Sequence, residues 1–376
     1  MASALRRNLR FAHAILGRGG PLYVQFAVTT RCNLACPMCQ ATAARAGERE
    51  LDLAEIETLA RTLGRLGVAI VVLTGGEPLL REDLEEGVRL FRAHGLDPRL
   101  QTNGLLATPE RVGRLVAAGL REATVSLHGL DAATHERVTG RPGSWAGAMA
   151  GLAAFGQALL PLGGVNGVNI TVTRHNLRQV PALVRFVTAA GFWASLIPLH
   201  SAVEPGAFVV RASGGGAAIG PEDHPLLERV WAEVVALKRA GHRIYNSRRF
   251  LAESLEFQER GAVRWRCASP DLYFSVSPQG RFLPCVDLPG GPSMLAPEFL
   301  ATFRSRAFRD GVRRRVAACE GCMYACYPEL VWATRDPRTI LERVVFARQV
   351  ASGPREGLDE GALLALAAST LAEDRR

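Results

Sequence analysis

The sequence contains no long apolar run. Its apolar segments are short, as Val68–Leu73 illustrates, and none approaches the roughly 20 residues that a membrane-spanning helix needs. The N-terminus also lacks the continuous apolar stretch of a secretory signal, because Arg6, Arg7 and Arg10 interrupt it. These absences predict a cytoplasmic protein.

Lysine is nearly absent as well: Lys238 is the only one, although the net charge is +9. A genome rich in Ala, Gly and Arg codons explains this bias, and an anionic substrate or surface is the alternative. No compact basic run with interleaved aromatic residues occurs, so nucleic acid is not an expected partner. With 48% hydrophobic and 22% charged residues among 376, the chain is expected to fold as one large domain, or as a large domain with a smaller one.

Strand-like and helical segments alternate between residues 22 and 199. Regular alternation of this kind indicates a parallel sheet covered by helices. Six units predict an α/β fold of the partial (β/α)6 TIM-like barrel type. The predicted strands are Leu22–Val28, Val68–Leu73, Leu96–Gln101, Glu122–Leu127, Gly167–Val172 and Phe192–Leu199, and the predicted helices are Leu53–Leu66, Asp83–His94, Pro109–Ala118, Ser144–Leu159 and Leu177–Ala190.

Composition divides the chain into five regions around this core. The first is expected to be a basic helix that packs on the main domain, with a membrane-surface helix as the alternative. The core ends in a loop rich in Gly, Ala and Ser at 201–221, and a region dense in Cys, Pro and aromatic residues suits a small metal-stapled module. The expected regions are 1–20 (basic helix), 21–221 (core domain), 222–262 (linker helix), 263–335 (metal-stapled module) and 336–376 (C-terminal helices).

The eight cysteines fall into two groups, and the first is Cys32, Cys36 and Cys39. Close spacing in a cytosolic protein favours metal over disulfides. Three thiolates can bind three irons of a cubane cluster and leave the fourth iron open to a ligand, whereas a Cys₄ cluster only transfers electrons. A structural zinc site is the alternative, but it would need a fourth protein ligand nearby.

The segment Cys32–Cys39 resembles the CxxxCxxC signature of radical SAM enzymes. The resemblance implies a [4Fe–4S] cluster whose open iron binds the amino and carboxylate groups of S-adenosyl-L-methionine (SAM). It further implies reductive cleavage to a 5′-deoxyadenosyl radical, with electrons from a flavodoxin- or ferredoxin-type donor. Met38 stands where the family often has an aromatic residue, and it is expected to pack against adenine.

Thr74-Gly75-Gly76-Glu77-Pro78 resembles the GGEP motif of the same family. The two glycines would allow close backbone approach to the ligand. In the family this segment binds the methionine amino group, so Glu77 is expected to supply its counter-charge.

Further residues at strand ends resemble segments that line the SAM pocket. Asn103 follows the third strand, and Ser126 and His128 follow the fourth. Related sequences often have Ser-x-Asp-Gly here, so His128 is either a contact to ribose or substrate or an ordinary loop histidine. Asn169 and Arg174 are expected to contact ribose and the methionine carboxylate.

The second cysteine group lies in 263–335. Two short strands around Ser277–Gly280 would bring Cys267 and Cys285 together, and Gly280-x₄-Cys285 resembles the opening of SPASM or twitch domains. Five cysteines fit one Cys₄ auxiliary cluster, expected to be [4Fe–4S], and one spare thiol. We favour as ligands Cys267, Cys285, Cys319 and Cys322, with Cys326 the spare thiol, although Cys322 and Cys326 could exchange roles.

This resemblance to the SPASM/twitch subgroup implies an oxidoreductase or maturase that abstracts hydrogen from a peptide or small natural product. The reaction would be an oxidation, in which the auxiliary cluster accepts an electron, or an epimerisation, in which the spare thiol Cys326 donates hydrogen. Only 21 residues precede the first strand, which favours a small molecule or a separately encoded leader-binding partner.

Two other functions compete with this one. A membrane-associated radical SAM enzyme of heme or lipid biosynthesis would use the basic N-terminal helix. A non-enzymatic iron–sulfur electron carrier or sensor would keep the cysteines but would not need Gly75, Gly76 and Glu77.

Overall fold

The computed structural model describes residues 11–12, 20–40, 49–200, 211 and 216–374. The predicted N-terminal helix and most of the predicted loop at 201–221 lie outside these residues.

Six parallel strands form the sheet of an open barrel, and they are hydrogen-bonded in chain order. Phe26 pairs with Leu73, and Leu73 pairs with Leu100, so apolar side chains share one face across neighbouring strands. The predicted fold class is confirmed, and the observed strand ends lie within two residues of the predicted ones. The strands are β1 (Tyr23–Thr29), β2 (Ile70–Gly75), β3 (Asp97–Thr102), β4 (Glu122–Ser126), β5 (Val165–Val172) and β6 (Trp193–Pro198).

Helices cover the outside of this sheet. The first begins at a capping box between Asp52 and Glu55 and ends at Gly67, which has the left-handed φ of 87° that glycine tolerates. Two helices have the predicted bounds, and one short helix was not predicted. The helices are α1 (Leu53–Leu66), α2 (Leu84–Ala93), α3 (Pro109–Ala117), the unpredicted α4 (Ala132–Thr139), α5 (Ser144–Leu159) and α6 (Val180–Ala189).

One segment of the described chain, Ser144–Leu162, is long and apolar enough to span a membrane. It comprises α5 and the short turn that follows, and 56% of its apolar window is buried inside the protein. Leu152 and Phe155 have no exposed surface, so the segment packs as a core helix of the barrel.

The sheet continues past β1 into the C-terminal region. Strand β7 (Tyr273–Val276) pairs with β1 in parallel, and β8 (Phe282–Leu283) returns antiparallel to β7. The predicted hairpin is therefore present. Its junction with β1 was not predicted, because a strand's periodicity does not reveal its partner. The cysteine-rich region is consequently fixed to the same strand that precedes Cys32.

Residues 222–262 are not a single linker helix. They hold α7 (His224–Arg239) and α8 (Arg248–Arg260), and Ile244 between them pairs with Ala194 of β6. The apolar faces of both helices are buried, so this region belongs to the barrel wall. The remaining helices are α9 (Phe299–Arg304), α10 (Arg306–Ala317), α11 (Cys326–Arg335), α12 (Pro337–Ala351) and α13 (Glu360–Asp374).

Candidate active site

The barrel encloses a cavity of about 320 Å³. At the carboxyl ends of β1 and β2 its wall includes Cys39, Gly75 and Gly76, and toward the amino ends of the strands it includes Arg99 and Glu122. Strand ends of this kind carry the ligand sites of barrel and open α/β folds. Cys39 of the first group and the glycine turn therefore face the same cavity.

The first three cysteines lie in the loop that follows β1. The amide of Cys39 donates to the carbonyl oxygen of Cys36 at 3.0 Å, which curls the loop back on itself. Burial, together with the neighbouring thiols of Cys39 and Cys32, raises the pKa of Cys36 to about 12. Thiols that repel one another's negative charge suit a bound cationic group, which deprotonates its ligands.

The number of thiol ligands bears on the choice between zinc and a cluster. The loop supplies three cysteines, Cys32, Cys36 and Cys39. This number matches a cubane with one open iron, whereas a structural zinc site would need a fourth protein ligand.

The turn after β2 packs closely against the cysteine loop at Gly75 and Gly76. A Cβ atom on Gly76 would lie 2.1 Å from the carbonyl oxygen of Arg31, and one on Gly75 would lie 2.4 Å from that of Thr29. Gly75 also has a φ of 130°, which side-chain-bearing residues rarely adopt. Both positions require glycine for contact within the chain itself, in addition to the predicted approach to a ligand.

Glu77 connects the turns that follow β2 and β3. Its side chain is only 1% exposed, and it accepts hydrogen bonds from the Thr102 hydroxyl at 2.6 Å and from the backbone amide of Asn103 at 2.8 Å. The Leu79 amide donates to it at 3.0 Å. Burial raises the pKa of Glu77, while these donors oppose the rise. The carboxylate thus joins these two turns, and its role as counter-charge to the SAM amino group stays a prediction.

Four C-terminal cysteines are partly buried and act on one another electrostatically. Burial raises the pKa of Cys267, and the thiol of Cys319 raises it further. The pKa of Cys285 rises to about 12 through burial, with the charges of Asp287 and Cys267 adding to it. Burial likewise raises the pKa of Cys322, with Cys285 the next contributor. The side chains that influence one another are those of Cys267, Cys285, Cys319 and Cys322.

Cys326 has different neighbours. It begins α11, and its thiol lies on the cavity wall. The Gln25 amide nitrogen lies 3.8 Å from its sulfur. Burial raises the pKa of Cys326 to about 12, and a hydrogen bond with Tyr23 opposes the rise. This placement supports the sequence-based choice of Cys326 as the spare thiol.

Known proteins bear on the identity of this site. The radical SAM superfamily profile matches residues 26–187. A PqqA peptide cyclase of Xanthomonas euvesicatoria pv. vesicatoria is 31% identical over 267 residues, which cover 70% of this chain and 68% of that protein. The chain belongs to the radical SAM superfamily. Members of this superfamily are enzymes that use a [4Fe–4S] cluster and SAM.

Other radical SAM proteins match over a shorter part of the chain or at lower sequence identity. An AdoMet-dependent heme synthase of Methanosarcina barkeri is 35% identical over 161 residues, so the match spans 43% of this chain and 45% of that relative. SuiB of Streptococcus suis superposes with a TM-score of 0.59 at 16% identity, covering 78% of this chain and 68% of SuiB. The structure of anSMEcpe with bound AdoMet and a peptide gives 0.55 at 15% identity, covering 93% of this chain and 99% of that one. The similarity to SuiB and to anSMEcpe shows a shared fold.

Several of the predicted SAM contacts lie beside the cysteine loop or the cavity of this radical SAM fold. The side-chain amide nitrogen of Asn103 donates to the side-chain oxygen of Asn33 at 2.6 Å, which connects the end of β3 to the cysteine loop. Asn169 lines the cavity and pairs in register with Ser126 on β4. Met38 is half-buried within the cysteine loop. These residues remain candidates for contact with SAM.

His128 is not among the described residues that line the cavity. It is buried, and its ring stacks on His135 with 5.5 Å between the ring centroids. Its Nδ1 accepts from the Thr171 amide at 3.2 Å. Burial lowers its pKa to about 3, with His135 adding to the effect. The structure therefore favours the alternative of a structural histidine over a contact to ribose or substrate.

Arg174 is not among the described residues that line the cavity. Its guanidinium is partly exposed and forms ion pairs with Glu222 at 2.6 Å and Asp223 at 3.2 Å. Both partners lie 48 or more positions further along the chain, so no local pattern indicated the pairing. The contact of Arg174 to the SAM carboxylate stays a prediction.

The sequence analysis did not predict an ion pair that lines the cavity near the amino ends of β3 and β4. Arg99 and Glu122 face one another there, with 2.6 Å between guanidinium and carboxylate, and the aromatic rings of Tyr23, Trp193 and Tyr245 surround them. One feature of the sequence indicated this ion pair: Arg99 lies in a predicted buried strand. A buried arginine needs a partner of opposite charge, and Glu122 on the neighbouring strand β4 is that partner.

Proposed function

We propose that this radical SAM enzyme abstracts a hydrogen atom from a peptide or natural product in the barrel cavity, and that Cys326 returns a hydrogen atom to the substrate. The observation that carries the proposal is the position of Cys326. Of the five C-terminal cysteines, all within the described residues, Cys326 is the one that lines the cavity. A thiol in that position is available for chemistry because it is not needed as a cluster ligand.

Two sets of residues would hold the cofactors. Cys32, Cys36 and Cys39 would hold the [4Fe–4S] cluster, with SAM against Gly75 and Gly76. When bound, these cofactors supply the 5′-deoxyadenosyl radical that takes a hydrogen atom from a substrate carbon. The barrel wall encloses this event and limits access of water. The auxiliary cluster would be held by Cys267, Cys285, Cys319 and Cys322.

Cys326 would complete an epimerisation. Its S–H bond breaks, the hydrogen atom forms a new C–H bond on the opposite face of the substrate carbon, and a thiyl radical remains on the sulfur. One proton and one electron restore the thiol, with the electron supplied by a flavodoxin- or ferredoxin-type donor. The substrate is neither oxidised nor reduced overall. An oxidation, in which the substrate loses a second electron and a proton, is the competing outcome.

The cavity and the relatives support a peptide or a compact small molecule as substrate. The cavity of about 320 Å³ would hold SAM beside Gly75 and Gly76 as well as the reacting part of the substrate, so that part is compact. Relatives with peptides in their names or structures include PqqA peptide cyclase and SuiB bound to its precursor peptide SuiA. The Arg99–Glu122 pair and the surrounding aromatic rings would give such a substrate polar and apolar contacts.

Solvent deuterium tests the proposed return of hydrogen. Reconstituted enzyme, SAM and a one-electron reductant are incubated in D₂O with extract of the host strain lacking the gene. Because thiol hydrogens exchange with solvent, we expect a metabolite or peptide to gain one deuterium with wild type. Cys326→Ala should retain its iron and form 5′-deoxyadenosine, yet incorporate none.

Two results would contradict this assignment. Undiminished deuterium incorporation by Cys326→Ala would remove Cys326 as the donor. A wild-type product that has lost two hydrogens and gained no deuterium would establish oxidation instead.

A further inference from the structure

Arg211 lies between the two cysteine sites. Its backbone forms an antiparallel bridge with Cys39, the last cysteine of the first group. Its side chain extends to the opposite side, into the C-terminal module. One residue therefore contacts the loops of both proposed clusters.

The guanidinium of Arg211 is fixed by two loops that carry the proposed auxiliary ligands. Its Nε donates to a carboxylate oxygen of Asp287 at 2.7 Å, and Asp287 lies two residues after Cys285. Its Nη2 donates to the carbonyl oxygen of Gly321 at 3.2 Å, between Cys319 and Cys322. The guanidinium also lies 5.6 Å from the centre of the Tyr324 ring, which lines the cavity.

The ion pair is almost fully removed from water. The side chains of Arg211 and Asp287 are 6% and 2% exposed. Burying two charges costs desolvation energy that their attraction does not always recover. Such a pair therefore contributes little net free energy to folding. In a low-dielectric interior, however, each charge acts strongly on its surroundings. The reduction potential of an iron–sulfur cluster depends on nearby charge.

We propose that Arg211 is a positioning residue that holds the Cys39 loop against the auxiliary site and, with Asp287, sets the charge beside the auxiliary cluster. The inference rests on the proposed cluster ligands, and it adds electrostatic control of that cluster to them. Together the two residues contribute little net charge, because the guanidinium of Arg211 and the carboxylate of Asp287 have opposite charges. Removing one partner leaves the other's charge beside the cluster.

Potentiometric titration of the holoenzyme, followed by EPR, tests the electrostatic part. In Arg211→Gln the remaining carboxylate should disfavour the reduced cluster and lower its potential. In Asp287→Asn the remaining guanidinium should raise it. We expect each change to be about tenfold in the ratio of oxidised to reduced cluster at a fixed poise, or about 59 mV for one electron. The double variant should return close to wild type.

Opposite shifts distinguish this role from a structural one. Shifts of the same sign in both single variants, or potentials equal to wild type, would overturn the proposal. If Arg211→Gln fails to retain the cluster, Arg211→Lys keeps the charge and should give the wild-type potential; a lowered potential there would count against it. Arg185→Gln, at an exposed ion pair with Glu233, is the matched control and should leave the potential unchanged.

Hydrogen exchange tests the positioning part. Peptides that contain Cys39 should exchange faster in Arg211→Gln and in the double variant than in Arg185→Gln. Equal exchange in all three would overturn the link between the loops. Formation of 5′-deoxyadenosine is measured separately in each variant. Failure of the wild type to form it would contradict the proposed function, while the potentials and exchange rates would still test Arg211.

Discussion

The backbone amide of Glu77 donates to the carbonyl oxygen of Arg31 at 2.8 Å. Arg31 directly precedes Cys32, and the Gly76 amide adds a second bond to the Thr29 carbonyl oxygen at 2.9 Å. The glycine turn and the first cysteine loop are therefore one hydrogen-bonded unit. A substitution in the glycine turn should therefore displace the cysteine loop.

Replacing Gly76 by alanine should weaken SAM binding by about tenfold or more, equivalent to about 1.4 kcal/mol. The added Cβ would lie 2.1 Å from the Arg31 carbonyl oxygen, so the cysteine loop must move. Equilibrium dialysis against SAM with reconstituted protein measures the loss. The control is Gly113→Ala in α3, where the new Cβ meets nothing within 4 Å. Equal SAM affinity in the two variants would contradict the close contact.

Replacing Glu77 by glutamine should destabilise the fold by about 1.5–3 kcal/mol, the range for hydrogen bonds to a charged group. The carboxylate accepts from Thr102, Asn103 and Leu79, and the amide nitrogen of glutamine cannot accept any of these bonds. Chemical denaturation measures the free energy of unfolding. Glu82→Gln, at an exposed carboxylate, should change it by no more than about 0.5 kcal/mol. A Glu77→Gln variant as stable as this control would refute the structural role.

Buried histidines should make the protein lose stability as pH falls below about 6.5. Burial lowers the pKa of His128 to about 3 and that of His135 to about 4. Unfolded histidine titrates near 6.5, so the unfolded chain binds more protons between these limits. Stability is thus fully present above about 6.5 and is lost toward pH 4 and 3, at about 1.4 kcal/mol per pH unit for each residue.

Melting temperatures across this pH range test the histidine prediction. The double variant His128→Asn and His135→Asn should show a shallower decline than wild type. An unchanged slope in the double variant would assign the acid sensitivity to other groups.

Iron content should separate the auxiliary ligands from the spare thiol. Cys285→Ala should lose roughly half the iron of the wild type, since one of two clusters loses a ligand. Cys326→Ala should keep the wild-type amount, because Cys326 lines the cavity and is the proposed spare thiol. Iron and sulfide assays on anaerobically reconstituted protein give the ratio. Loss of iron in Cys326→Ala, with retention in Cys285→Ala, would reverse the assignment.

The barrel was predictable because its periodicity is local. Each strand is a short apolar run ended by a turn, and helices such as Leu53–Leu66 begin and end at residues with clear capping chemistry. The cysteine loop and the glycine turn were predictable as well, since each depends on a few consecutive residues. What these segments contact depends on the whole fold.

Long-range pairing explains what the sequence did not reveal. The β7 strand joins β1 across about 250 residues of chain, and Arg211 meets Asp287 across 76. The contacts of His128 and Arg174 could not be predicted, because their partners His135 and Glu222 come from other segments of the chain. Glu77 carried the expected motif, but only the structure shows that its oxygens are used by β3. Local motifs therefore identified the chemistry, and the fold decided which side chains reach the cavity.

Formation of 5′-deoxyadenosine from SAM tests the central claim most directly. Anaerobically reconstituted enzyme with dithionite should form this nucleoside, and Cys326→Ala should form it as well. Cys36→Ala should form none, because the first cluster loses one of its three protein ligands. Undiminished 5′-deoxyadenosine from Cys36→Ala would contradict the account.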